Sequence, residues 1–258
     1  MPSRSRSRPV RRAAVALLVA SLAPAVAPAG EVHVAVATSF AATARALAGP
    51  FRAETGHDVV TSEGSTGKLY AQIVHGAPYQ VFLAADAERP RRLEEQGLAV
   101  AGSRFAYARG RLVLWSRAPG RATGPDALAE GRVRRLAIAS PELAPHGVAA
   151  REALVALGRW EALAPHLVRG QDVGQAFQFV ATGNAELGLV ALAQVQDAGG
   201  SHWIVPQDLY TPVEHHAVLL ARGRDDPAAA AFLAFLRGPR ARALVEAAGY
   251  AAPPGPAP

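Results

Sequence analysis

A short polar segment, from Ser62 to Leu69, carries the residues of this chain that are best suited to chemistry. It follows a strand-like run that ends at Thr61 and leads into a helical pattern that begins at Leu69. The first backbone N–H groups of a helix have no internal partners, and the helix dipole places about half a positive charge there. Glycines among these residues let a ligand approach the main chain closely. The segment therefore predicts a site that holds an anion.

Three further segments have the same features, each placed after a predicted strand and before a predicted helix. The four candidate helix starts are residues 37–40, 64–67, 140–147 and 171–176. In an open α/β sheet, ligands bind beyond the carboxyl ends of the strands, where all four segments would lie. A serine or threonine at one helix start is usually an N-cap that contributes about 1 kcal/mol. Four such starts in one chain favour a shared anion cleft.

Two other chemistries use the same residues. Gly67-Lys68 is typical of a nucleotide P-loop, but Ser62 and Leu69 stand where that motif requires glycine and serine or threonine. Ser39 or Ser65 would be the nucleophile of a serine hydrolase, which needs a base within about 3.2 Å. No spacing of histidine and aspartate in the sequence identifies that base.

A metal site is the third alternative, and Glu214-His215-His216 is the run that would supply it. Adjacent residues of a strand point to opposite faces, so these side chains are poorly placed to share one ion. The chain has no cysteine, which excludes disulfides and thiolate metal sites.

The first 29 residues have the pattern of a cleaved secretory signal peptide. A basic stretch with five arginines precedes an apolar run from Ala13 to Leu22, and small residues follow at positions 25–29. The net charge of the whole chain is +6, but it falls to about +1 without this segment, so the basic balance is no evidence for nucleic-acid binding. The remaining residues are ample for one large domain or two small ones. The proline-rich end, residues 253–258, is predicted to be a disordered tail.

Between these ends, short β-type runs alternate with helical patterns. Strands are predicted at residues 32–36, 59–60, 81–84, 111–115, 136–139, 186–191 and 217–221. This alternation predicts open, mostly parallel α/β sheets with helices on both faces. If the chain forms two lobes, it must cross between them near residues 108–111 and 205–212.

Several motifs resemble those of the periplasmic molybdate-binding proteins of ABC importers, and they extend over nearly the whole chain after the signal peptide. They occupy residues 64–73, 76–86, 110–115, 145–147, 172–176, 188–192 and 237–239. The resemblance implies a two-lobed, type II periplasmic binding protein fold, in which each lobe is an open, mostly parallel sheet flanked by helices. Residues 30–109 and 209–252 would form lobe 1, and residues 110–208 would form lobe 2. The ligand would lie between the lobes, which close by a hinge motion.

The resemblance also implies the ligand, molybdate or tungstate, and the neutral donors that bind it. The positions that match the family's oxyanion-binding residues are Thr38, Ser39, Ser65, Thr66, His146 and Val173. At His146 and Val173 the family uses a backbone N–H group; whether the His146 ring adds a donor is left open. Ala191 stands where one branch of the family has an anion-binding tyrosine.

The expected protein is thus a periplasmic solute-binding protein, and not an enzyme, that delivers its anion to the membrane permease of a molybdate ABC transporter. We expect a monomer with no cofactor and no nucleic-acid partner, in which molybdenum is present only as the bound oxyanion, without direct protein–metal ligands. The main alternative is a sulfate or thiosulfate carrier of the same fold, because sulfate has the same charge and shape and differs in size. An exported serine hydrolase is the alternative from another class.

Overall fold

The computed structural model of this protein describes residues 30–253. The predicted signal peptide, residues 1–29, lies outside this range, as does the predicted tail apart from Pro253. Strands and helices alternate along the described chain and form two five-stranded sheets, which confirms the predicted α/β class. Within residues 30–253, no helix is both long enough and apolar enough to span a membrane.

The strands match the predicted runs closely, with three additions. They are β1 (Glu31–Ala37), β2 (Asp58–Gly64), β3 (Val81–Ala84), β4 (Phe105–Gly110), β5 (Leu112–Ser116), β6 (Leu136–Ala139), β7 (Leu167–Gly170), β8 (Leu187–Ala191), β9 (Ser201–Ile204) and β10 (Val213–Leu219). The α-helices are α1 (Ala41–Thr55), α2 (Thr66–Val74), α3 (Glu88–Glu95), α4 (Pro145–Ala156), α5 (Trp160–Leu163), α6 (Val173–Ala181), α7 (Leu192–Val195), α8 (Pro227–Arg237) and α9 (Pro239–Ala247).

The two sheets have the same arrangement of strand directions. The order is β2-β1-β3-β10-β4 in the first sheet and β7-β6-β8-β5-β9 in the second. The three strands at one side of each sheet are parallel, while β10 in the first sheet and β5 in the second are antiparallel to both of their neighbours. Each sheet is therefore mixed, with four strands in one direction and one reversed. The chain passes from the first sheet to the second at Arg111 and returns through residues 205–212.

The sequence analysis did not predict β4, β7 and β9, and all three lie at a sheet edge. An edge strand has only one neighbour and is partly exposed, so its apolar pattern is weak. In β7, only Gly170 is buried, and in β9 no residue is. The buried strands β6 and β8 read as continuous apolar runs, as expected for strands covered on both faces.

Each sheet has its own apolar core against the helices that flank it. In the first, Leu47 and Phe51 of α1 and Phe232 of α8 are completely buried, and the rings of Phe51 and Phe232 meet edge to face at 5.3 Å. In the second, Leu136 and Leu154 are completely buried. Burying each such side chain contributes about 1.5–3 kcal/mol, so the two sheets are firm supports for the loops at their strand ends.

Candidate oxyanion-binding site

The loop after β1 places Thr38 and Ser39 in a short 3-10 turn that continues into α1. Ser39 is buried, with 5% of its surface exposed. The phenol of Tyr250, near the end of the described chain, donates a hydrogen bond to the Ser39 carbonyl. This turn is therefore held from behind by the C-terminal segment.

The loop after β2 places two buried hydroxyl groups at the N-terminus of α2. Ser65 is the N-cap, and its Oγ accepts a hydrogen bond from the Lys68 N–H at 3.3 Å. Thr66 Oγ1 accepts one from the Ala85 N–H, which follows β3, at 3.2 Å. Because each oxygen already accepts from the backbone, each hydroxyl proton remains available for a ligand.

The loop after β6 brings His146 into the first turn of α4, where it is 1% exposed. A Cβ atom at the next residue, Gly147, would lie 2.5 Å from the Ala139 carbonyl oxygen and 2.6 Å from the Ser140 carbonyl oxygen. Only glycine permits this close approach of the helix start to the end of β6. The His146 Nε2 atom is buried and has no hydrogen-bond partner among residues 30–253.

The loop after β7 starts α6 at Val173. Asp172 is the N-cap, and its Oδ1 accepts from the Gln175 N–H at 3.0 Å. The N–H groups of Val173 and Gly174 lie in the first turn, where a helix offers no internal acceptor. The Val173 side chain is buried in an apolar cluster with Val113 and Val190 of the second sheet, so only its main chain is suited to bind a ligand.

Loops from the two sheets contact each other directly. The Gly67 N–H donates a hydrogen bond to the Leu143 carbonyl at 2.9 Å. A Cβ atom at Gly174 would lie 3.4 Å from the Thr38 Cβ. The structure thus brings Thr38 and Ser39 against the start of α6, and Ser65 and Thr66 against the loop that carries His146.

Two cavities lie between the sheets beside these contacts. One of about 630 Å³ is lined by Thr38 and Ser39 on one side and Asp172 and Gly174 on the other. The other, of about 560 Å³, is lined by residues 85–89 and 211–214 together with Pro145, Val148 and Ala149.

The fully buried polar side chains of the described chain carry no carboxylate, ammonium or guanidinium group. They are Ser39, Thr43, His57, Ser65, Thr66, Ser116, His146, His215 and His216. The buried groups at the four helix starts are therefore hydroxyls and main-chain N–H groups, together with histidine rings. The hydroxyl and N–H groups are donors for an anion, while each neutral histidine ring has one donor and one acceptor nitrogen.

The structure adds one residue that the sequence analysis did not connect with the site. His215, on β10, is completely buried, and its Nε2 lies 3.0 Å from Ser39 Oγ. The neighbouring His216 has other partners, because its Nδ1 lies 3.3 Å from Arg104 Nη1. No group of three or more His, Cys, Asp or Glu side chains in residues 30–253 is arranged to hold a metal ion.

Gly110, at the crossing between the sheets, makes room for the two buried imidazoles. A Cβ atom there would lie 2.9 Å from His215 Cε1 and 3.3 Å from His146 Nε2. The two rings are 6.1 Å apart. Burial lowers the pKa of His146 to about 4. Burial, and next the nearby His146, lower the pKa of His215 to about 3.

Acidification is expected to lower the free energy of unfolding between about pH 6.5 and about pH 4. The folded-state pKa values of both rings lie below the ordinary histidine value. In this window the unfolded chain binds protons that the folded chain does not, so stability is full above the window and is lost as the pH falls. Each ring contributes at most about 1.4 kcal/mol per pH unit. Urea titrations at several pH values measure the slope.

His146→Gln is expected to reduce that slope, because one of the two rings is removed. His75→Gln, at an exposed position, is the matched control and should keep the slope of the unaltered protein. Equal slopes for all three proteins would show that folding does not lower the pKa of His146.

Residues 32–251 match the family described as bacterial extracellular solute-binding protein. The chain belongs to this family. It is 50% identical over 241 residues to the molybdate-binding protein ModA of Azotobacter vinelandii, covering 92% of this chain and 96% of the relative. It is 47% identical over 238 residues to ModA of Rhodobacter capsulatus, covering 92% of this chain and 94% of the relative.

The structure of the Azotobacter vinelandii periplasmic molybdate-binding protein superposes on this solute-binding protein with a TM-score of 0.84, at 44% identity. The match covers 86% of this chain and 100% of the other. The predicted two-lobed fold is thereby confirmed.

At position 191 this solute-binding protein has an alanine, where one branch of the molybdate-binding family has a tyrosine. Ala191 ends β8 and is buried, and its N–H donates to Gln194 Oε1 at 3.2 Å. No hydroxyl reaches a ligand from this position. The candidate donors are therefore those of the four helix starts.

Proposed function

We infer that this protein captures molybdate or tungstate between its two lobes in the periplasm and delivers the anion to the permease of an ABC importer. The observation that supports this most strongly is the convergence of helix starts from both sheets, which present buried hydroxyl and N–H donors. The names of the relatives, which are 50% and 47% identical over nearly their full length, support molybdate as the anion. Export would use the predicted signal peptide at residues 1–29, and the processed protein would act as a monomer.

Hydrogen bonds and helix dipoles offset the cost of removing a dianion from water. That cost is large for any unpaired buried charge. Each hydrogen bond to a charged group contributes about 1.5–3 kcal/mol, and each helix N-terminus adds a favourable field.

Molybdate and tungstate are expected to bind at least about tenfold more tightly than sulfate, a difference of about 1.4 kcal/mol. The loops are attached to rigid sheets and would keep a pocket sized for the larger ion. Calorimetric titration of the processed protein with each sodium salt measures the three affinities. Equal affinity for sulfate would favour the sulfate or thiosulfate carrier, while retaining the anion site.

We propose that binding needs neither a metal nor a cofactor. Dialysis against a strong chelator before the same titration is expected to leave the molybdate affinity unchanged. A loss of affinity that zinc restores would overturn this part of the proposal.

The structure supplies one observation for the hydrolase alternative, namely the 3.0 Å contact between Ser39 Oγ and His215 Nε2. This meets the distance that a catalytic base requires. However, a ring whose pKa is about 3 is a weak base at neutral pH, and His215 Nδ1 faces the Val213 carbonyl rather than a carboxylate. Binding therefore remains the better account. Hydrolysis of p-nitrophenyl acetate that is abolished by Ser39→Ala would make hydrolysis the better account.

A further inference from the structure

Ser39 differs from the other two buried hydroxyl groups of the site in what its oxygen contacts. Ser65 Oγ and Thr66 Oγ1 accept hydrogen bonds from N–H groups, which leaves their protons free. Ser39 Oγ instead lies 3.0 Å from a ring nitrogen, His215 Nε2. Whether Ser39 can donate to an anion therefore depends on where the protons of His215 are.

The contact of the other ring nitrogen determines which nitrogen carries the proton when His215 is neutral. His215 Nδ1 lies 3.3 Å from the Val213 carbonyl oxygen, and a carbonyl only accepts hydrogen bonds. A neutral imidazole has one N–H group, which is then on Nδ1. Nε2 is left as an acceptor, and within residues 30–253 the proton that reaches it is the hydroxyl proton of Ser39.

In that arrangement Ser39 would turn oxygen lone pairs towards a bound oxyanion, which itself has only acceptors. If the hydroxyl donated to the anion instead, lone pairs of Nε2 and Oγ would face each other in a buried place. A proton on Nε2 removes this conflict. Nε2 then donates to Ser39 Oγ, and Ser39 donates to the anion, as Ser65 and Thr66 are placed to do.

We propose that capture of the oxyanion is coupled to the uptake of one proton by His215, which acts as a positioning residue for the Ser39 hydroxyl. The proposal rests on the proposed function. The proton comes from the solvent and goes to Nε2. No covalent bond other than this N–H bond forms.

The groups that face the His215 ring from other elements are uncharged in the free protein at neutral pH. Aromatic and polar groups face the ring from the 3-10 turn after β1, from β4 and α4, and from the C-terminal segment. They are Phe40 at 6.1 Å, Tyr107 at 5.8 Å, His146 at 6.1 Å and Tyr250 at 5.3 Å between ring centres, together with Ser39. On its own strand, Glu214 lies 3.7 Å from Arg109 and 3.6 Å from His216, so its carboxylate has other partners.

These surroundings make a bound anion the dominant charge near the ring. Burial lowers the pKa of free His215 to about 3, so the ring is neutral when the cleft holds no anion. A dianion that contacts Ser39 would lie one hydroxyl group away, and an opposite charge at such a distance raises the pKa of a histidine. Binding and protonation therefore favour each other, as linkage requires.

Calorimetry with sodium molybdate tests the coupling directly on the processed protein. Titrations in two buffers with different ionisation enthalpies, between about pH 5.5 and about pH 8.5, count the protons taken up per anion. We expect uptake to approach about one proton at the acid end, and the Kd to rise by up to about tenfold per pH unit wherever uptake is complete.

Two variants separate this role from a merely structural one. His215→Gln keeps an N–H donor for Ser39 but cannot take up a proton, so it should bind molybdate with no proton uptake and a flat pH profile. His216→Gln changes the neighbouring histidine, whose partners are Arg104 and Glu214, and should keep the profile of the unaltered protein.

Nitrogen NMR of the unaltered protein measures the protonation of the His215 ring nitrogens directly, so it tests the proposal even if His215→Gln does not fold. We expect one protonated ring nitrogen on His215 without molybdate and two with it. Molybdate binding without proton uptake, or equal uptake by His215→Gln, would overturn the inference and leave the proposed function standing. Failure of the unaltered protein to bind any oxyanion would overturn both.

Discussion

Gly67→Val is expected to weaken molybdate binding by more than about a hundredfold, which corresponds to about 2.7 kcal/mol. Gly67 belongs to the first turn of α2, and its N–H donates to the Leu143 carbonyl of the opposite lobe. A Cβ atom at this position would lie 2.9 Å from that same carbonyl oxygen and 3.2 Å from Arg89 Nη2. Even the first atom of a side chain is therefore too close for the contact to survive.

The larger valine side chain would hold the lobes apart where their loops meet. The donors of Ser65 and Thr66 would then be separated from those of the α4 loop, and a bound anion would stay exposed to water. Calorimetry with molybdate measures the affinity, and small-angle scattering compares the compactness of the protein with and without the anion.

Ala71→Val is the control, because Ala71 lies in the same helix as Gly67 and is exposed. Both variants add a β-branched residue to α2, but only one of them blocks the contact between lobes. If both variants bind molybdate like the unaltered protein, capture of the anion does not require this contact.

Thr66→Val is expected to weaken molybdate binding by about 1.5–3 kcal/mol, from roughly tenfold to more than a hundredfold, as for one lost hydrogen bond to a charged ligand. Valine has the shape of threonine without its hydroxyl group. The Thr66 hydroxyl accepts from the Ala85 N–H and is 1% exposed, so its proton is aimed away from that donor. Titration with molybdate and thermal unfolding together measure the effect.

Thr66→Ser restores the hydroxyl and should recover most of the affinity. Val173→Ala should change the affinity far less than Thr66→Val, because the proposed donor of Val173 is its main-chain N–H. A Thr66→Val protein that loses stability but binds molybdate normally would show that this hydroxyl only supports the Ala85 backbone.

The local sequence was sufficient to predict most elements and the four helix starts. Buried strands such as β6 and β8 are continuous apolar runs, and Pro145, Asp172 and Pro227 mark helix starts by their own conformational and capping preferences. These signals act between residues that are close along the chain. The edge strands β7 and β9 were missed because their pairing, not their composition, makes them strands.

Neutral donors were implied by the family resemblance, which matches Thr38, Ser39, Ser65 and Thr66 to oxyanion-binding positions. Their role as ligands stays a prediction, as do the lobe boundaries. The resemblance to molybdate-binding proteins pointed to the family and the two-lobed fold, which the comparisons confirm. Sequence reasoning could not decide the function of the His146 ring, because it depends on what lies around that ring.

Contacts between distant parts of the chain were decided only by the tertiary structure. The sequence analysis considered His215 for a metal site, whereas folding of β10 beside β3 and β4 places it against Ser39, 176 residues away. The Gly67–Leu143 hydrogen bond joins two lobes that no local pattern could align. Local periodicity thus determined the elements and the helix starts of this protein, while strand pairing across the two sheets decided which of its buried groups meet.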